Sequence, residues 1–169
     1  MNPRRNPGLV FAVHPTSKGF GWVIFEDQNA PVGWGISSAK ANRSATSMRR
    51  FQALLDQYHP SVLVLEAFKG SRTRRGPRIQ DLAQTMSGFA ANRDIDVVVY
   101  SRNFVSEQVA ENPHATRHAI AKSVAGRIPI FRLRMPRERE LWQSEDARQC
   151  LFDAAALAMT HFAVSRPRR

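Results

Sequence analysis

Cysteine is almost missing from this chain: Cys150 is the only one in 169 residues. A single thiol excludes an intrachain disulfide and any zinc knuckle built from several cysteines, and it suits a reducing compartment. Long apolar runs are missing as well. No stretch approaches the ~18 residues of a membrane helix, and Met1-Asn2-Pro3-Arg4-Arg5 has no apolar signal core behind it. A cytoplasmic protein is expected, not a membrane or secreted one. Acids are scarce: 14 Asp+Glu stand against 25 Lys+Arg, a net charge of +11. Lysine is scarcer still, with 4 residues, which leaves 25 − 4 = 21 arginines. Guanidinium is the better bidentate partner for phosphate, so this balance suits a polyanion binder. Codon bias in a GC-rich genome accounts for the Arg-over-Lys ratio equally well, but not for the net surplus. Arg4, Arg5, Arg166, Arg168 and Arg169 lie in short basic arms, 1–7 and 165–169, and the body stays positive without them.

What is present is ordinary globular material, 43% hydrophobic and 23% charged, of a length that favours one domain over 1–169. Short apolar runs rich in β-formers predict strands over 9–13, 19–25 and 32–37. The turn-like His14-Pro15-Thr16-Ser17-Lys18 and a second turn over 26–31 separate them, as in an antiparallel meander. Asn42 or Ser44 can cap a helix through Met48, Phe51, Leu54, Leu55 and Tyr58 that stops at Pro60. The run 62–65 has no polar alternation and predicts a strand buried on both faces. Residues 67–78 carry five cations, two glycines, one proline and no acid, the composition of an exposed loop. Beyond it the pattern predicts helix over 79–92, strand over 97–100, helices over 104–111 and 114–127, and loop over 128–143. Ser144 then caps a last helix over 145–164. The order βββ-α-β-α-β-α-α-α implies an α/β fold: a mixed five-stranded sheet, three antiparallel strands first, flanked by helices.

In such sheets reactive residues gather at strand ends, next to helix termini. Glu66 ends the most buried strand, where a carboxylate needs a partner or a metal. Asp153 precedes Ala154-Ala155-Ala156, whose small side chains let the last helix approach the sheet closely. The alternative for each acid is an ion pair with one of the many arginines.

The run Val10-Phe11-Ala12-Val13-His14-Pro15-Thr16-Ser17, followed by Gly19-Phe20-Gly21-Trp22-Val23-Ile24, resembles the opening of the RuvC-like Holliday-junction resolvases. The likeness extends to Val62-Leu63-Val64-Leu65-Glu66 and to the stretch from Asp153 through His161. It implies a ribonuclease H-like fold and a metal-dependent endonuclease acting on branched DNA, four-way junctions among them, as a homodimer. In that family an acid ends the first strand, a glutamate ends the fourth, and two acids three residues apart sit in the last helix. Glu66 and Asp153 match. His14 and Cys150 stand where the other two acids would be.

Two-metal phosphodiester hydrolysis uses hard, oxygen-ligated Mg²⁺ ions about 3.5–4 Å apart. A neutral imidazole with one ligating nitrogen does not copy a bridging carboxylate. Three outcomes follow for the altered site. It is degenerate and leaves a DNA-binding protein, or it hydrolyses with one ion held by His14, Glu66 and Asp153, Mn²⁺ suiting imidazole better than Mg²⁺. Or His14, Cys150, Asp153 and Glu66 form a zinc set. Asp146, seven residues before Asp153, would assist from two helical turns away, a strained reach of ~11 Å.

Other features point elsewhere. His114 and His118 have metal spacing on a helix, but Thr116-Arg117 replaces the glutamate of a zincin. Gly19-Phe20-Gly21 and Gly33-Trp34-Gly35 read as strand glycines that permit close packing. Trp22, Trp34 and Trp142 suit core or edge better than base stacking. An actin-like ATP module needs a second phosphate loop for which the chain is too short. The expectation is therefore a structure-specific endodeoxyribonuclease in which Lys69, Arg72, Arg74, Arg75 and Arg78 grip phosphates. A binding module on the same fold is the alternative.

Overall fold

A computed structural model describes residues 8–67, 76–138 and 146–165. Its first three strands, β1 (Val10–Pro15), β2 (Gly19–Asp27) and β3 (Ala30–Ser38), form the expected antiparallel meander. After α1 (Arg43–Tyr58) comes β4 (Val62–Glu66), and after α2 (Pro77–Asn92) comes β5 (Asp96–Tyr100). β4 pairs with β1 and β5 with β4, both in parallel, so the sheet runs β3-β2-β1-β4-β5. The chain then forms α3 (Arg102–Ala110), α4 (Arg117–Arg127), a 3₁₀ turn (Pro129–Arg134) and α5 (Gln149–Ser165). No helix among the described residues is long and apolar enough to cross a membrane.

The strands extend further than local composition indicates. β1 continues through His14 and Pro15 because both find partners on β2, Gly21 and Phe20. The turn shrinks to the segment after Pro15, closed by Thr16, whose N–H donates to the Gly19 carbonyl while its hydroxyl accepts from the Lys18 and Gly19 N–H groups. α2 starts at Pro77, inside the expected loop, because proline fits the first helical position, where its missing N–H has no partner to lose. α1 does begin after Asn42, but that residue adopts a left-handed backbone and its side chain makes no cap. The region 128–143 is not all loop. Its 3₁₀ turn forms around Phe131, which is fully buried against Trp34 and Phe152.

Strand alternation sorts the core onto two faces. Phe11, Val13, Leu63 and Leu65 pack with Phe51, Leu55, Leu82 and Met86 of α1 and α2. Val10, Ala12, Val23 and Val64 point to the opposite face, toward α5, with α3 and α4 outside it. α5 lies between sheet and helices and is therefore apolar nearly all round, with Ala154, Ala155 and Ala158 fully buried. The parity matters for function. His14 follows Ala12 by two and Glu66 follows Val64 by two, so both belong to the α5 face, just beyond the registered pair Ala12↔Val64.

Candidate functional site

α5 can reach this end of the sheet because Gly21 has no side chain. A Cβ there would lie 2.4 Å from both the carbonyl carbon and oxygen of Cys150 and 2.7 Å from the Leu151 nitrogen. Since Gly21 is the partner of His14 in the ladder, the same close approach carries Asp153, one turn further along α5, to the end of β1. There His14 Nε2 lies 3.5 Å from Asp153 Oδ2, with the two side chains 11% and 10% exposed.

Asp153 is held from three directions. Arg117 Nη2, at the first residue of α4, donates to Oδ2. Gln149 Nε2 donates to Oδ1 at 3.2 Å and also reaches the Arg117 carbonyl at 3.2 Å, tying the two helices together. Burial pushes the Asp153 carboxyl up, but attraction from His14 and Arg117 and the hydrogen bonds from Arg117 and Gln149 prevail, and its pKa falls below the ordinary value. Arg117 and Gln149 are absent from the sequence-level candidates. A signal for Arg117 does exist: a cation in the first turn of a helix opposes the dipole unless a carboxylate compensates it.

His14, Glu66, Arg102, Arg117 and Asp153 line one open cleft together with the apolar Val105, Ile120, Ala156 and Leu157. Glu66 is half-buried at the end of β4, level with Tyr100 of β5. The fold thus brings His14, Glu66 and Asp153 around one space. Arg78 stands apart, exposed in the first turn of α2. Lys69, Arg72, Arg74 and Arg75 lie outside the described residues, as do Trp142, Ser144 and Glu145, residues 1–7 and residues 166–169.

Other groupings come apart. Asp146 is not on a helix with Asp153, since α5 starts at Gln149. Its carboxylate instead folds onto Arg148, accepting from the backbone N–H at 2.9 Å and pairing with the guanidinium at 2.8 Å. That pairing with the guanidinium lowers the Asp146 pKa. The Cys150 thiol donates to the Ala147 carbonyl at 3.1 Å, and burial pushes its pKa up to about 12. The sulfur is thus turned to the Ala147 carbonyl, and Cys150 is not among the residues lining the cleft, so the four side chains of a zinc set do not converge there. His114 precedes α4, its backbone bonded to Asn112 Oδ1, so it shares no helix face with His118. Trp22 packs against Phe11 and Tyr58, and Trp34 against Phe131, as core and edge residues.

A divalent ion does not fit the cleft in this arrangement. Among the described residues no three His, Cys, Asp or Glu side chains come close enough together to hold one. Asp153 Oδ2, the oxygen nearest His14, already receives a guanidinium.

No protein-family model matches the chain, and no curated protein does. Solved structures do. The structure of Thermus thermophilus RuvC superposes with a TM-score of 0.65 at 18% identity, covering 90% of this chain and 92% of that one. T. thermophilus RuvC in complex with a Holliday junction substrate gives 0.68 at 18% identity, covering 92% and 94%. With its five-stranded mixed sheet and flanking helices, this chain has the ribonuclease H-like fold of RuvC.

Proposed function

We propose that this chain is a RuvC-like protein that binds branched DNA, four-way junctions in particular, as a homodimer, and that binding rather than hydrolysis is its main activity. The scaffold matches that of a RuvC bound to a Holliday junction over 92% of the chain, and the net charge of +11 supplies the attraction a polyanion needs. A four-way junction has two-fold symmetry, which a two-fold dimer matches. One observation carries the choice of binding over cleavage: the Arg117 guanidinium sits on the carboxylate that a catalytic ion would use.

In this reading the chain's own residues divide the work. Arg102 and Arg117 line the cleft and present guanidinium groups to a strand passing over it. His14 and Gln149 hold the Asp153 carboxylate in place beneath. Lys69, Arg72, Arg74 and Arg75, in the sequence between β4 and α2, and Arg78 in the first turn of α2 extend the phosphate contacts.

The enzymatic reading rests on a different observation, the convergence of His14, Glu66 and Asp153 on one cleft. It requires Arg117 to leave Asp153 and an Mg²⁺ or Mn²⁺ ion to take its place, Mn²⁺ being favoured by an imidazole ligand. A single experiment separates the two. Four-way junctions and linear duplexes of equal length are compared for binding, and the junctions are incubated with Mg²⁺ and with Mn²⁺. Preferential junction binding without strand scission is the expected result. Scission in Mn²⁺ that vanishes in both Asp153→Asn and His14→Ala would establish the endonuclease instead. Scission that appears only in His14→Asp would place the loss of activity at the missing acid.

A further inference from the structure

We propose that Arg117 takes the place of a divalent ion in the cleft, so that the site holds a backbone phosphate by guanidinium and excludes metal. The proposal deepens the DNA-binding reading and rests on it. An ion at Asp153 would need a carboxylate oxygen directed at it. Oδ2 accepts from Arg117 and has His14 Nε2 3.5 Å away, while Oδ1 accepts from Gln149. The Arg117 end of this pair is fixed as well, since its own carbonyl accepts from the same Gln149 amide at 3.2 Å. One glutamine therefore positions both partners.

Charge balance points the same way. Arg102, Arg117, Glu66 and Asp153 line the cleft together, so their formal charges sum to 2 − 2 = 0, and His14 adds no negative charge. Sites for hard divalent cations concentrate carboxylates to create a strongly negative potential, and a balanced cleft has none. Exposure shows which group meets a ligand. The Arg117 side chain is 24% exposed, while Asp153 beneath it is 10% exposed, so an incoming strand encounters the cation. Phosphate is the anion a guanidinium in that position suits, with fork geometry matched to two oxygens.

The test measures Mn²⁺ uptake by the full chain, from the spectrum of the free ion, for wild type, Asp153→Asn, Arg117→Gln, Arg117→Lys and the Arg117→Gln/Asp153→Asn double variant. In parallel, four-way junction binding is followed in EDTA and in Mg²⁺ at matched ionic strength. Wild type and Arg117→Lys should take up no Mn²⁺ in the low millimolar range. Arg117→Gln should gain uptake through the uncovered Asp153, and the double variant should lose it again. Junction affinity of wild type should be equal in EDTA and Mg²⁺, and Arg117→Gln should weaken it by about tenfold. Wild-type Mn²⁺ uptake that Asp153→Asn abolishes would overturn the proposal, and so would unaltered junction binding by Arg117→Gln. Should Arg117→Gln fail to fold, the wild-type unfolding midpoint still decides the matter: an ion that bound the native site would raise it with concentration. Absence of junction binding in every form would overturn the DNA-binding reading itself, and the Mn²⁺ arm would still decide whether Arg117 excludes metal.

Discussion

Asp153 shows how one carboxylate serves structure or chemistry depending on a single neighbour. Its pKa is lowered in the fold, so its stabilising contribution is complete above the ordinary value of 3.8 and is lost as pH falls from there through the folded value. Asp153→Asn removes the carboxylate charge that accepts from Arg117 at a site where Asp153 is 10% exposed. The expected loss is about 2–3 kcal/mol at neutral pH, below the 3–5 kcal/mol of a fully buried pair because Arg117 is partly exposed. Urea unfolding at several pH values checks both parts: the gap between wild type and variant should close as pH falls below about 4. A gap independent of pH would mean the carboxylate is not the charged partner. Cys150 yields a second outcome at this scale. An acid restored there by Cys150→Asp would meet the Ala147 carbonyl its thiol now contacts, at a site 5% exposed. The variant should be destabilised by several kcal/mol, on the order of 3, and gain no metal affinity.

At the scale of the element, α5 and its contact with β2 decide whether a site exists. Gly21→Ala forces a Cβ into the backbone of Cys150 and Leu151, and neither can move without shifting α5. A loss of about 1–3 kcal/mol is expected, with weakened junction binding, because Asp153 and its partner Arg117 are displaced together. A variant with intact stability would show that α5 tolerates repositioning. Strands and central helices were legible from the sequence because apolar runs such as 62–65 have one stable use, inside a sheet. The start of α5 was not. Ser144, Glu145 and Asp146 have the composition of a helix N-terminus, yet Asp146 is engaged in a turn with Arg148 and α5 begins at Gln149. Phe131 was hidden for a related reason, since two prolines and four arginines around it outweigh one aromatic in any local count. Within the site, Glu66 at a strand end and Asp153 before three alanines followed from the residues themselves. The identity of the arginine that pairs with Asp153 did not, because pairing across 36 residues of sequence leaves no local pattern.

At the scale of the whole molecule, the proposed DNA binding is tested through the positive surplus and the assembly state. Changing Arg72, Arg74 and Arg75 together to alanine should flatten the salt dependence of junction binding, the log–log slope falling by about 0.9 for each phosphate no longer neutralised. An unchanged slope would identify the basic segment as solvated surface. Sedimentation at micromolar concentration should give a mass near twice 19.1 kDa; a monomer both free and on DNA would argue against two-fold engagement of a junction. The meeting of β1 with α5 has a temporal consequence too. His14 and Asp153 are neighbours in space but lie 139 residues apart in the chain (153 − 14). At a ribosomal pace of about 5–20 residues per second, His14 precedes Asp153 by roughly 7–28 s. Once Val64 has been added, and until α5 follows, the face of the nascent sheet from Val10 to Val64 has no helix α5 to cover it. The growing polypeptide is thus an incomplete, cationic and partly apolar species, and on the proposed function any hold on DNA at the cleft would arise only with the last helix. Translation halted before that helix should yield aggregation-prone chains without specific affinity.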